Sequence, residues 1–394
     1  MTQPLTQRKA PYAVIFLTVF IDLVGFGIVI PVLPLYAERF GATPLVIGCL
    51  VAVYSLMQWI CAPLLGKLSD RIGRRPVLLV SIIGTSIGFL IMGWAPTLQW
   101  LFVARIIDGV TGGNISTAQA YIADITLPHE RSKGMGLIGA AFGLGFVLGP
   151  ALGGILSHFS LAAPFWFAAA LAACNAVALF CWLPESLSPD ARARAGQRAS
   201  LRAVFDDPKA ASLRVIMGAY FCTTVAFSLL TATYALFAER RFGYTAVQIG
   251  YIFACMGLIG ALVQGVLLGR LVRHLSDKPL VVAGTAILGL SLVLLPLAST
   301  VDALLAVTAG LAIGHSLIAA PLNGLASRGG EAHVQGRILG LMQSAASLAR
   351  IVGPVMGGWL LYADFLTPAR LLGSGPYWIG AGVMACALLL ATRL

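Results

Sequence analysis

Charge is what this sequence has least of. Only 10% of its 394 residues are Asp, Glu, Lys or Arg, against about a quarter in soluble globular proteins. That scarcity excludes a soluble fold. The seven cysteines (49, 61, 174, 181, 222, 255 and 386) include no CxxC pair. Scattered through apolar segments, they read as small packing residues, which excludes a disulfide framework or a cysteine metal site. The apolar segments hold no nucleophile–base pair, no metal-ligand cluster and no phosphate-cradling loop. An enzyme is therefore not expected, and neither is a cofactor.

What remains is apolar and rich in glycine: 59% hydrophobic residues and 44 glycines. Glycine is costly in soluble helices but lets helices pack closely in lipid. At roughly 20 apolar residues per crossing of a ~30 Å core, the chain has room for twelve spans. They are predicted at 11–36, 44–66, 76–95, 99–123, 134–158, 162–183, 213–238, 245–269, 279–299, 302–325, 337–362 and 375–392. The first run is too long for a signal peptide and lacks a small-residue cleavage site, so it reads as a retained helix.

The net charge of +11 is not a nucleic-acid signature, because of where it falls. Arg39, Arg240, Arg241 and Arg370 lie on one side of the predicted membrane, and Arg105 and Arg350 lie within spans. The other twenty Lys and Arg lie on the opposite side. This bias places both termini in the cytoplasm. A multi-pass protein of a bacterial-type inner (plasma) membrane is expected, with the lipid bilayer as partner and no nucleic acid.

The chain repeats itself. Gly149-Pro150-Ala151-Leu152-Gly153-Gly154 returns as Gly353-Pro354-Val355-Met356-Gly357-Gly358. Glu38-Arg39-Phe40-Gly41 returns in Glu239-Arg240-Arg241-Phe242-Gly243, and Gly66-Lys67-Leu68 as Gly269-Arg270-Leu271. Three matches in order at offsets of 202 to 204 indicate duplication. The expected fold is an all-α membrane protein of twelve transmembrane helices in two pseudo-symmetric six-helix bundles, 1–183 and 213–394. A basic cytoplasmic linker, 184–212, joins them. Two homologous membrane halves most simply make a transporter, which rocks around a central cavity.

Polar residues inside the spans are the candidate site. Asp22 lies about halfway along the first span, where no bulk water solvates it. It reads as a group that binds and releases a proton near neutral pH; the plainer reading is a carboxyl bonded to a neighbouring helix. Arg105 and Asp108 are three apart on the fourth span, so they share a helix face. They read as a self-satisfied ion pair or as groups that tune a proton site. In the second half, His315 is either a titrating group or a hydrogen-bonded core histidine. Arg350, deep in the eleventh span, needs a protein acid, a carbonyl or an anionic substrate as partner. Aromatics and amides suited to an apolar organic molecule are Phe26, Asn114, Gln119, Phe227, Tyr234, Gln264 and Gln343.

The loop Gly66-Lys67-Leu68-Ser69-Asp70-Arg71-Ile72-Gly73-Arg74-Arg75 joins glycine turns to a single acid and bidentate arginines. It resembles the signature loop of the major facilitator superfamily. The resemblance implies a conformational lock of Gly66, Asp70, Arg71, Gly73, Arg74, Arg75 and Asp124. In it Asp70 caps the eleventh helix and Arg74 pairs with Asp124. The fifth span, with Gly145, Gly149, Pro150, Gly153 and Gly154, resembles the antiporter helix of the drug/proton antiporters.

From Asp22 through Tyr54-Ser55-Leu56-Met57-Gln58 to Gly154, the chain resembles the tetracycline-resistance efflux branch of those antiporters. The implied activity is proton-coupled export of a small, largely apolar organic molecule by alternating access, as in antibiotic resistance. Asp22 would carry the proton, Arg105 and Asp108 would tune it, and a monomer is expected. The departures are Gly88, Gly260 and Leu288, where the branch has Asp, His and Asp; Asp108 is a departure in the other direction. The alternatives are transport of an organic anion bound by Arg350, and a non-transporting scaffold or lipid scramblase.

Overall fold

A computed structural model describes residues 9–112, 114–126, 131–187, 210–272, 274–328, 335–367 and 373–394. The linker residues Arg192, Arg194, Arg198, Arg202, Asp206 and Asp207 lie outside the described residues. The described chain is helical, with α1 (Lys9–Glu38), α2 (Pro44–Ile72), α3 (Arg74–Trp94), α4 (Leu98–Thr111), α5 (Asn114–Ile125), α6 (Arg131–Ser157) and α7 (Ala163–Trp182). There follow α8 (Ala210–Phe242), α9 (Ala246–Leu262), α10 (Leu268–Leu271), α11 (Asp277–Leu294), α12 (Val301–Arg328), α13 (Gln335–Leu366) and α14 (Ser374–Ala391).

Among the described residues, eleven helices are long and apolar enough to cross a membrane. The fourth predicted span, 99–123, is present but broken into α4 and α5. The ninth predicted span ends in a short 3-10 turn at Leu295–Leu297. The eighth passes through a π-helical segment at Val263–Leu267, between α9 and α10. Large exposed apolar side chains such as Leu64, Val80, Val177, Phe180, Leu290 and Leu389 suit a hydrocarbon surround.

The chain separates into two compact units. The first holds Met1–Gly41, Val53–Arg198 and Ala246–Ala254; the second holds Ala42–Ala52, Ala199–Thr245 and Cys255–Leu394. In unit 1 the core gathers Ile15, Val19 and Leu23 of α1, Leu78 and Ile82 of α3, Tyr121 and Ile122 of α5, and Leu179 of α7. Thr18 of α1 donates to Asn175 of α7 at 3.3 Å, a buried polar pair between the two helices.

The repeated Gly-Pro stretches do equivalent work in each unit. In unit 1, α6 lies backbone against backbone on α1. A Cβ added at Gly149 would fall 2.7 Å from Gly27 Cα and 2.7 Å from Val24 O. In unit 2, α13 lies likewise on α8: a Cβ at Gly353 would fall 2.7 Å from Val225 O, and Ser228 donates to Ala349 O at 3.1 Å. Gly154 of unit 1 also touches Gly250, and Gly358 of unit 2 touches Pro44. The small residues are what allow these approaches.

Gly149→Val therefore has no room to relax. Overpacking of this kind costs about 1–3 kcal/mol, so the variant should melt several degrees lower in detergent. Gly136→Ala, with nothing within 4 Å of the added carbon, should melt as wild type. Equal melting temperatures for wild type and Gly149→Val would rule out the close α1–α6 contact.

Candidate functional site: a polar cluster at a broken helix

The fourth span breaks for local reasons. Thr111 Oγ1 turns back to Ile107 O at 2.8 Å, a bond that competes with the helix ladder and bends it. The amide of Gly112 then closes a tight turn on Gly109 O at 3.2 Å. The Gly112 carbonyl, at the break, accepts from Gln58 Nε2 at 2.8 Å. Backbone interrupted at membrane depth needs such a partner. Gln58 also donates to Tyr54 Oη at 3.2 Å, which ties α2 to the same place.

The charged pair sits in α4, just before this break. Arg105 Nη1 donates to Asp108 Oδ2 at 3.2 Å within α4. The Arg105 guanidinium carbon also lies 4.2 Å from the centre of the Tyr54 ring, within cation–π range. Arg105 is only 1% exposed, and its Nε has no partner among the described residues.

Asp108 rests against α3, where Gly88 makes room for it: a Cβ at Gly88 would fall 3.1 Å from Asp108 Cβ. Thr85 of the same helix faces Asp108. Asn114 opens α5 and faces Asp22 of α1, with Asp108 the next acid. The Asn114 amide is buried, and neither of its polar atoms closes a hydrogen bond among the described residues. The proton-coupling candidates Asp22, Arg105 and Asp108 thus belong to one cluster of unit 1.

Of the binding candidates, Asn114 belongs to this cluster and Phe26 borders it. Phe26, one turn after Asp22, packs against Tyr54 and Phe146 with ring centres 6.1 and 5.9 Å away. Gln119 is exposed on α5. Helix α6 holds the segment that carries Asp22: Gly145 lies on Leu23 and Val24, and Gly153 on Ile28. Pro150 Cδ would stand 2.8 Å from a Cβ on Gly27.

Unit 2 places its candidates differently. His315 of α12 stacks on Phe227 of α8, with ring centres 3.7 Å apart, and its Nδ1 is buried without a partner among the described residues. Arg350 Nη2 donates to Ser347 Oγ at 3.1 Å, so a protein hydroxyl already holds it. Gln264 is exposed within the π-helical segment, and Gln343 is exposed on α13. Tyr234 is fully buried, 3.4 Å from the Thr308 hydroxyl, and offers no face to a ligand in this structure.

The candidate lock lies at the junction of α2 and α3. Gly73 adopts φ 115°, in the region that favours glycine, and turns the chain into α3. Arg74 contacts Asp70 at 2.6 Å and Asp124 at 3.1 Å, and Nη1 donates to Ser69 Oγ at 2.7 Å. Ser69 in turn donates to Gly66 O at 2.8 Å, while Arg71 is exposed. The Arg74–Asp124 pairing agrees with the one the resemblance implies.

Sequence reasoning missed Glu185. Its carboxylate accepts from the Arg74 and Arg75 amides at 2.9 and 3.1 Å, capping the start of α3. Placed just after the last apolar residue of α7, it reads as the beginning of a linker. Its signal was a lone acid beside a proline, Pro184-Glu185. Tyr54, Gln58 and Thr85 were also missed as members of the polar cluster; Gln58 was detectable as an amide in mid-span.

The model of the Major Facilitator Superfamily matches residues 15–354 and 216–394. The chain belongs to that superfamily and is a multi-pass membrane transporter. It is 36% identical over 352 residues to tetracycline resistance protein, class C, of Escherichia coli, covering 87% of each chain. It is 29% identical over 382 residues to multidrug resistance protein 2 of Bacillus subtilis (strain 168), covering 95% of this chain and 94% of that one. The crystal structure of the human organic anion transporter MFSD10 (TETRAN) aligns with a TM-score of 0.74 at 25% identity. That alignment covers 99% of this chain and 100% of the other.

Glu185→Ala removes the cap of α3. A lost cap costs about 1 kcal/mol, so a melting temperature lowered by a few degrees is expected, with Glu185→Gln falling between. No change in either variant would show that the cap contributes nothing to unit 1.

Proposed function

We propose that this chain is a proton-coupled exporter of small, largely apolar organic molecules, working by alternating access. The observation that carries the reading is the Asp22–Asn114–Asp108–Arg105 cluster. Two carboxylates and one guanidinium leave one net negative charge in a setting where charge is expensive. A single proton removes it. Asp22 is the group that takes that proton, because Arg105 already answers Asp108 at 3.2 Å. Proton binding at Asp22 and substrate binding exclude one another, which couples the two flows.

Phe26, Asn114 and Gln119 of unit 1 are assigned to substrate contact. So are Phe227, Gln264, His315 and Gln343 of unit 2. The 66–75 loop, with Asp124, acts as the conformational lock. The kinship with tetracycline and multidrug resistance proteins supports the drug-type substrate. The protein works as a monomer in a bacterial-type inner membrane, with both termini cytoplasmic.

Asp22→Asn should abolish substrate accumulation driven by a pH gradient in proteoliposomes by at least about tenfold, while substrate exchange at equal pH persists. Gradient-driven uptake at the wild-type rate would remove Asp22 from the mechanism.

A second reading has its own support. Arg350 is a cation deep in α13, and the aligned human structure is that of an organic anion transporter. If the cargo is an organic anion, Arg350→Ala should abolish its transport and leave neutral drugs unaffected. Arg350→Lys should restore part of it. Equal loss of neutral and anionic cargo in Arg350→Ala points to a structural role instead.

A further inference from the structure

On its outer side, unit 1 carries a groove between α3 and α7. It has a volume of about 380 Å3, and Leu79, Ile83 and Ile87 form one wall. Ala173, Ala176 and Val177 form the other, with Phe180 at one end. The small residues of α7 leave the space that the larger side chains of α3 do not fill. Ser86, the polar residue of the lining, donates its hydroxyl to Ala169 O at 2.9 Å, so it asks nothing of a ligand. The groove therefore presents hydrocarbon alone.

One end of this groove is charged. Arg75 Nη2 donates to the Phe180 carbonyl at 2.6 Å, and its guanidinium carbon stands 5.6 Å from the centre of the Phe180 ring. Its Nε is buried without a partner among the described residues. Glu185, the neighbouring acid, accepts from the Arg74 and Arg75 backbone amides. Arg75 keeps its charge and unused donors where the apolar walls end. Lys67 and Arg71 of the same basic stretch are exposed.

We propose that this groove is a lipid site: it takes one acyl chain of an anionic phospholipid whose phosphate rests on Arg75. The dimensions agree. From Leu79 to Ile87 is eight residues, roughly 12 Å at 1.5 Å per residue, close to one leaflet's half of a ~30 Å core. A helix about 10 Å across is too wide to enter, whereas an extended hydrocarbon chain is one methylene wide. Basic groups between transmembrane helices at the headgroup level are where anionic lipids are held. A guanidinium fork suits a phosphate, and an anionic headgroup brings no second cation beside it as a zwitterionic one does. A lipid seated here also braces the junction at which Glu185 caps α3.

The test is native mass spectrometry of the full chain in detergent, equilibrated with phosphatidylglycerol or with phosphatidylcholine of the same acyl chains. Wild type should retain one phosphatidylglycerol, about fivefold more than phosphatidylcholine, as expected for one arginine at the headgroup. Arg75→Gln should bring the two lipids to equal retention. Ala173→Trp fills the groove and should lose both. Val177→Trp should do the same from a lipid-facing position that is already 63% exposed, where misfolding is not an issue. Equal retention of both lipids by wild type overturns the proposal. So does unchanged retention in both tryptophan variants. A mass of two chains in place of a lipid adduct would assign the face to a second copy and overturn it as well.

Discussion

A charge inside a membrane has to be answered by another group, and in unit 1 that requirement organises helices α1 to α5. Arg105 is answered by Asp108 and by the face of Tyr54. Asp108 fits because Gly88 leaves space on α3. The break between α4 and α5 puts Asn114 beside Asp22, and Gln58 answers the carbonyl at the break. The glycine-rich helix α6 holds α1 on either side of Gly27, which keeps Asp22 in register with its neighbours. Remove any of these packing relations and a buried charge loses its partner.

The duplicated chain uses one packing solution twice and one charge solution once. Gly149 on α1 and Gly353 on α8 make equivalent backbone approaches. The polar clusters do not correspond. Unit 2 has a histidine stacked on a phenylalanine and an arginine tied to a serine, where unit 1 has an ion pair beside a further acid. Scaffold is thus shared between the repeats while chemistry is concentrated in the first. That asymmetry is why proton coupling is assigned to unit 1 and substrate discrimination is sought in both.

Much of this was legible in the sequence. Helix positions follow from long apolar runs, and the pairing of Arg74 with Asp124 follows from the resemblance of the 66–75 loop. The break in the fourth span was not legible, because Gly112-Gly113 looks the same in a close-packed helix as at an interruption. At the break Thr111 bonds back to Ile107 O and Gln58 arrives from α2, a contact over 54 residues. Asp108 departs from the pattern that the resemblance implies. It packs on Gly88, the position where the resemblance expects an acid, so the carboxylate hangs from the neighbouring helix. Tyr234 reads as a binding residue in the sequence and is buried in the structure, since a buried core tyrosine and a binding tyrosine look alike in a span. Glu185 was hidden by its place at the start of a polar stretch.

The central claim is that Asp22 carries the proton that substrate displaces. Proton release on adding a transported drug to the purified protein, in lightly buffered detergent solution, tests it most directly. Wild type is expected to release protons in proportion to drug bound, and Asp22→Asn to bind the drug without release. Equal release from the two proteins would contradict the assignment.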